Sequence, residues 1–207
     1  MTNETDDERL YAGKLFKSHQ LSAKNRSRRG RALAQQINQL PLEQVEQIVA
    51  AERQLIEHSG QDMFIQPPLM VEYGHNITIG DHFYCNFDAI FLDKSTITIG
   101  DNVMVGPRVN FLTAGHPVDA KTRNEFYEYA KPIVVGNDVW IGGNVTILPG
   151  VTIGSDVVIG AGAVVTKDIP DHVIAVGNPA RVLRTITPEE QQRWREEASE
   201  YEAEVGR

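Results

Sequence analysis

The chain has 207 residues, a formal net charge of −8, 7% aromatic content and one cysteine, Cys85. That acidic balance argues against a general nucleic-acid binder, and a single thiol excludes an intrachain disulfide or a Cys-built zinc site. No apolar run approaches the roughly 18 residues of a membrane-spanning helix, and the charged start Met1 to Glu8 does not read as a signal peptide; a cytoplasmic protein of one domain plus an appendage is expected.

Residues 1–9 are polar and acidic without periodicity, which predicts disorder. From Arg9 to Ser59 apolar residues recur at helical steps. Leu10, Leu15 and Phe16 form one short stripe, and Leu33, Ile37 and Leu40 a second. Val45, Ile48, Val49, Leu55 and Ile56 form a third. Pro41 is expected to open that third helix, where a missing N–H costs nothing, and Ser59-Gly60 to close it. Residues 1–60 are therefore expected to form a small helical domain, too poor in apolar residues to stand alone. Lys14, Lys17, Lys24, Arg26, Arg28, Arg29 and Arg31 run through it with no acid between Lys14 and Arg31. Such a run is either a solvated helix face or a surface that meets phosphates or an acidic neighbour.

Pro67-Pro68 ends the helical pattern and a six-residue period begins. Val71, Ile77 and Phe83 mark it first, with Gly74 and Gly80 in the turns; after Ala89 the phase slips by two and resumes at Phe91, Ile97, Val103 and Val109. The slip predicts a bulge at one corner. The period is clearest at Ile133, Val139, Val145, Val151, Val157, Ala163 and Ile169, with Gly136, Gly142, Gly154 and Gly160 three residues on. One apolar residue per sextet fits neither a helix nor an ordinary strand. It is the signature of a parallel β-helix, in which three sextets make one triangular coil. Gly, Asn and Asp take the corners, where positive φ is often required. The domain is expected over 61–186, broken by an excursion loop at 110–132 that carries Thr113-Ala114-Gly115-His116-Pro117. Long loops in compact folds tend to be functional. After Gly177-Asn178-Pro179 the repeat fails, and Ile186 is expected to end the core. Thr187-Pro188-Glu189-Glu190 reads as an N-cap, a Pro at the first helical position and acids in the first turn, so 187–207 should hold a polar helix to about Glu204. Trp194 and Tyr201 lie on one of its faces, which either rests on a neighbour or frays into solvent.

Gly-Asn-Asp-Val-Trp-Ile-Gly-Gly (136–143), Gly-Ala-Val-Val-Thr-Lys-Asp-Ile-Pro (162–170) and Gly-Asn-Pro-Ala-Arg (177–181) resemble the hexapeptide-repeat acetyltransferases. Phe-Tyr-Cys-Asn-Phe (83–87), Thr-Ala-Gly-His-Pro (113–117) and Ala-Gly-Lys-Leu-Phe (12–16) narrow the resemblance to the maltose and galactoside O-acetyltransferase group, nodulation-type enzymes included. The resemblance covers roughly residues 9–186. It implies a mainly β fold: a left-handed parallel β-helix with a small N-terminal helical domain and a C-terminal helix. It also implies acetyl-CoA as co-substrate, a sugar or other hydroxyl acceptor, no metal, and a homotrimer with sites between subunits.

Acetyl transfer to a hydroxyl needs a base, donors for the oxyanion and a groove for a long phosphorylated donor. Histidine titrates near neutral pH, and the resemblance makes His116 the general base. It places Asn86 beside the reacting centre, although an Asn stacked in a corner would read the same. Tyr84 matches an acceptor contact and Trp140 a wall of the donor channel. The Gly143 amide would face the thioester carbonyl, and Ala161 would follow the pantetheine through its backbone. Thr166, Lys167, Arg181 and Arg184 would hold the nucleotide end, cations suiting phosphates. Cys85 is expected as a buried inert thiol, so transfer is expected to be direct, in a ternary complex.

The acceptor half departs from the group's pattern. Ser18 stands where sugar-binding members carry an acid, Ser27 falls at a basic position in an ungapped count from Asn38, where Arg26 or Arg28 could substitute, and Glu72 and Glu128 replace a small polar and an apolar residue. Glu128 is expected to orient His116. Two other readings of the repeat compete: a non-catalytic β-helix scaffold, and a γ-type carbonic anhydrase. The latter would need three clustered His ligands, and only His75, His82 and His116 of the six could approach one another.

Overall fold

In the computed structural model, residues 4–26 and 28–206 are described. Residues 1–3 of the expected disordered start, and Ser27, lie outside them. Three stacks of short parallel strands make a three-sided prism. The first face stacks His58–Ser59, Ile77–Ile79, Ile97–Ile99, Ile133–Val135 and Thr152–Ile153. The second stacks Phe64–Ile65, Tyr84–Cys85, Met104–Val105, Val139–Ile141, Val157–Ile159 and Val173–Val176. The third stacks Leu69–Val71, Ala89–Leu92, Asn110–Leu112, Thr146–Ile147 and Val164–Val165. The protein is thus a mainly β, parallel β-helix.

Each sextet sends two side chains inward, not one. Ile133 and Val135, Val139 and Ile141, Val151 and Ile153, and Val157 and Ile159 are all at most 2% exposed. Strand alternation requires this: residues i and i+2 share a face. Aromatic rings fill the wider early coils, where Phe91 and Phe111 stack at 4.9 Å between ring centres.

The two-residue slip has a different location from the one expected. Ile77 pairs with Ile97, twenty residues on, whereas Val139 pairs with Val157, eighteen on. The extra residues sit in the corner between the third and first faces, after Phe91 and equally after Val71. Buried Asp93 organises that corner by accepting the backbone N–H groups of Tyr73 and Gly74, each at 2.8 Å.

The corner between the first and second faces is a side-chain ladder. Asp81 accepts from Gln61 N–H at 2.7 Å, Asp101 from Asp81 at 2.7 Å, Asn137 from Asp101 at 2.8 Å, Ser155 from Asn137 at 3.0 Å and Asp171 from Ser155 at 2.7 Å. Beside it, His82, Asn102, Asp138, Asp156 and His172 all have φ between 53° and 58°.

Helices close the N-terminal end of the prism. The acidic start is not all disordered: α1 runs over Asp6–Tyr11 behind a Thr5–Glu8 capping box, which supplies the acceptors a short helix lacks. Phe16 is in a strand, Phe16–Lys17, and not on a helical stripe with Leu10. Next come α2 (Arg29–Ile37) and α3 (Val45–Leu55). Pro41 precedes α3 by four residues and does not open it. The helix ends at Leu55, because His58–Ser59 already pairs with the coil above. The face of α2 that meets the prism is cut to fit: a Cβ on Gly30 would come within 2.4 Å of the Tyr73 carbonyl oxygen.

The excursion is structured and starts later than expected. Asn110–Leu112 still belongs to the third face. Ala114–Gly115 then pairs antiparallel with Tyr127–Ala130, with α4 (Ala120–Asn124) between them. Tyr127–Ala130 pairs in turn with Phe16–Lys17, and Leu10, Phe16, Leu21 and Ala130 make a small second core. The excursion therefore closes on its own chain. Its sextet period is absent because its partners are antiparallel strands and not coils.

At the other end, Arg181–Thr185 folds back antiparallel on Val173–Val176. The buried core stops at Ala175 and Ala180, and Ile186 is only half-buried. Finally, α5 (Pro188–Val205) starts as expected, with the Thr187 side chain accepting the Glu190 N–H. Trp194 and Tyr201 are each 57% exposed on it.

Candidate active site

His116 follows the strand Ala114–Gly115 at the mouth of the excursion. Gly115 is needed there, since a Cβ would meet the Tyr129 hydroxyl at 2.5 Å. The exposed imidazole has Nδ1 3.1 Å from the Tyr127 carbonyl oxygen. A carbonyl can only accept, so the proton sits on Nδ1 and Nε2 keeps its lone pair. The orienting group is thus a backbone carbonyl, not the Glu128 carboxylate. Tyr127 went unremarked in the sequence because a main-chain acceptor leaves no side-chain signature. The loop itself is pinned by Arg123, which donates to the carbonyls of Pro117 and Val118 at 3.0 and 3.1 Å.

Asn86, Gly143 and Ala161 line one corner, between the second and third faces, with the Gly106 coil separating Asn86 from Gly143 and with Gly143 and Ala161 on adjacent coils. Here the coils touch backbone to backbone. A Cβ on Gly106 would lie 2.6 Å from Gly143 N, and one on Gly142 2.6 Å from Ala161 N. The Gly143 carbonyl accepts from Gly162 N–H at 2.9 Å. Among the described residues no ladder acceptor takes the Gly143 or Ala161 N–H. Asn86 Oδ1 accepts from the Phe87 N–H at 2.9 Å, so its Nδ2 is the end free to donate outward.

Thr166 and Lys167 are exposed one face-width away, just past Val164–Val165. Ala180 N–H bonds the Val164 carbonyl at 2.8 Å, which brings Arg181 alongside that strand. A track thus runs from Gly143 and Ala161 past Arg181 to Thr166 and Lys167. Arg184 is not part of it. It stands opposite Ile174 on the second face, and Glu190 holds its guanidinium with two bonds of 2.6 and 2.8 Å.

Tyr84, Met104 and Trp140 form an outward row on the second face, at 39%, 62% and 57% exposure. The Tyr84 hydroxyl donates to Gln66 Oε1 at 3.3 Å. Cys85 points the opposite way, fully buried, and burial pushes its thiol pKa far up. Such a thiol supplies no thiolate.

His116 stands apart from Asn86, Gly143 and Ala161. It leaves the prism at the third-to-first corner, whereas they line the second-to-third corner, with the third face between; Thr166 and Lys167 return to the corner of His116 two coils further on. At its foot the excursion roots on a polar corner: Ser95 N–H donates to Thr113 Oγ1 at 3.0 Å. Lys94 in that corner lies 3.5 Å from both Ser18 Oγ and Glu72 Oε1, and donates to the Tyr73 hydroxyl at 2.8 Å. Burial alone would lower the Lys94 pKa, but Tyr73, Glu72 and Glu128 together raise it, so the ammonium persists. Lys94 escaped notice in the sequence because it falls where the sextet slips. The histidines do not converge. His75 stacks on Tyr73 at 5.3 Å and meets Asn25, and His82 sits at the first-to-second corner beside Asp62.

Comparison with known proteins places the sequence and the fold among known relatives. The bacterial transferase hexapeptide (six repeats) family model matches residues 132–167. A galactoside O-acetyltransferase of Escherichia coli (strain K12) is 42% identical over 179 residues, which is 86% of this chain and 88% of the relative. A solved galactoside acetyltransferase in complex with coenzyme A superposes with a TM-score of 0.88 at 42% identity, over 91% of this chain and 94% of that one. A maltose O-acetyltransferase from Clostridium difficile 630 gives 0.85 at 42% identity, over 89% and 100%.

Proposed function

The chain belongs to the hexapeptide-repeat acetyltransferases of the galactoside and maltose group, and from that premise we propose that it moves the acetyl group of acetyl-CoA to a sugar hydroxyl with His116 as general base. The observation that carries the assignment is the Tyr127 carbonyl on Nδ1, which leaves Nε2 as a fixed acceptor for a proton. Nε2 takes the hydroxyl proton as the oxygen attacks the thioester carbonyl. The Gly143 N–H donates to the oxyanion, and Asn86 Nδ2, two coils away on the same chain, joins it only from a neighbouring copy. Collapse breaks the C–S bond, and the imidazolium returns its proton to the departing thiolate. Arg181, Lys167 and Thr166 hold the nucleotide phosphates, and Trp140 and Tyr84 wall the approach. Arg184 joins the phosphate set only if Glu190 releases it.

The site is completed by a second copy of the chain, in a homotrimer. One chain keeps His116 a face-width from Asn86 and Gly143, and Tyr84, Met104, Trp140, Val118 and Phe126 are all large, apolar and exposed. No helix among the described residues is long and apolar enough to cross a membrane. A cytoplasmic setting goes with the lone buried thiol.

The deciding experiment measures acetyl-CoA-dependent acetylation of a sugar panel by the native protein and by His116→Ala. A loss of about 10²–10⁴-fold in kcat, with acetyl-CoA affinity kept, is the expected result. Turnover retained by a folded His116→Ala would remove the assignment, and an active monomer by light scattering would remove the shared site.

A further inference from the structure

The basic run between Lys14 and Arg31 has no role in the donor track, and the structure gives it one elsewhere. Arg26, Arg28 and Arg31 form one wall of a pocket of about 180 Å³, and Ser18, Glu72 and Lys94 form the other. The pocket lies at the foot of the excursion. Its floor residue Lys94 neighbours Ser95, which bonds Thr113, three residues before His116. Phe16, two residues before Ser18, pairs with Glu128, next to the carbonyl that holds His116.

The lining as a whole carries four cations and one carboxylate. Glu72, its side chain 10% exposed, is held by Arg31 Nε at 2.9 Å and approached by Lys94 at 3.5 Å. That leaves Arg26 and Arg28 at the mouth. Among the described residues Arg26 donates to the His19 carbonyl alone, at 3.4 Å, and Arg28 has no ion pair. Most nearby acids are engaged elsewhere. Asp7 accepts from Ser22 N–H and from Asn25 Nδ2 at 2.8 Å, although its charge also feels Arg26. Asp93 accepts from the amides of Tyr73 and Gly74. Glu128 helps to keep the Lys94 ammonium charged.

The group's pattern already puts acceptor positions at Ser18 and Glu72; we propose that in this chain the pocket selects a sugar bearing an anionic substituent, a phosphate or a carboxylate. The anion meets the Arg26 and Arg28 guanidiniums, which can each engage two oxygens, while Glu72 accepts from sugar hydroxyls. The inference rests on the transferase reading above, because it takes the excursion face as the acceptor side.

Galactose, galacturonate and galactose 6-phosphate share one ring and differ in charge, so they separate the sources of the anion. Binding of each to the native protein saturated with coenzyme A is measured by calorimetry at low and high salt. The expected result is at least tenfold tighter binding of one anionic sugar than of galactose, with the preference shrinking in high salt. Arg26→Gln/Arg28→Gln should bring the ratio towards one. Equal or weaker binding of both anionic sugars, or no binding of any, overturns the inference. So does a preference that survives the double substitution. Acetyl-CoA binding and the His116→Ala comparison are read separately, so a failed subsite is distinguishable from a failed transferase.

Discussion

Glu52 reaches from α3 into the first coil, where its two carboxyl oxygens lie 3.2 and 3.3 Å from the backbone nitrogen of Ile65. The residue is fully buried at the open end of the prism, and ties the helical cap to the first strand of the second face. Burial raises its pKa from 4.5 to about 8, against the opposing hydrogen bond from Ile65.

A raised carboxyl pKa means that the folded state binds the extra proton. The stabilisation is complete below the unfolded value of 4.5 and is lost as pH rises through about 8. The native protein should therefore lose stability across that window, by at most about 1.4 kcal/mol per pH unit for this group. Asp93, raised to about 6 by burial, adds to the same trend at the acid end. Glu52→Gln keeps an acceptor for Ile65 and cannot ionise. Its melting temperature should exceed that of the native protein at pH 9 and depend less on pH between 6 and 9. Parallel curves for the two proteins would contradict this.

The ladder at the first-to-second corner predicts a difference between two substitutions at one position. Asp101→Ala removes the acceptor of the Asp81 N–H and should cost about 0.5–1.5 kcal/mol. Asp101→Asn should be close to neutral, since Asn137 does the same task one coil on, accepting from Asp101 at 2.8 Å. Urea denaturation of both variants checks the pair, and equal losses would show that the rung carries no stability of its own.

Cys85→Ala should keep its turnover, because the thiol is buried within the coil and its pKa is raised. The change leaves a small void and should cost on the order of 1 kcal/mol. Initial rates and thermal melts measured together separate the two effects. Loss of acetylation with an unchanged melt would instead point to an acyl-enzyme at that sulfur.

The coil was legible because its restraints are local and repeat. Val139, Val145 and Val151 read inward, and Gly142 and Gly154 mark corners where backbone meets backbone. Where pairing is distant, the same reading failed. Tyr127–Ala130 finds its partner in Phe16–Lys17, more than a hundred residues earlier, and no window of sequence contains both. Phe16 read as helical for the same reason: with Leu10 and Leu15 it makes a short apolar cluster at the head of a stretch whose later apolar residues do follow helical steps. The site divides similarly. His116 and Gly143 lie in motifs that carry their own context, while the Tyr127 carbonyl and the Lys94 corner acquire their meaning only after the excursion has folded.

That long-range pairing has a kinetic consequence. Phe16 is 1% exposed between Leu10, Leu21 and Ala130, and its strand fixes the strand whose Tyr127 carbonyl orients His116. Phe16→Ala empties this small core and should loosen the imidazole without touching the donor track. The expected result is a fall in kcat of about tenfold or more, because small misplacements of a catalytic group carry penalties of that size. Acetyl-CoA affinity by calorimetry should stay within a factor of two or three of the native value. Phe16→Leu, which refills most of the volume, should recover much of the rate. Equal damage to acetyl-CoA binding in Phe16→Ala would mean that the second core supports the whole protein and not the orientation of His116.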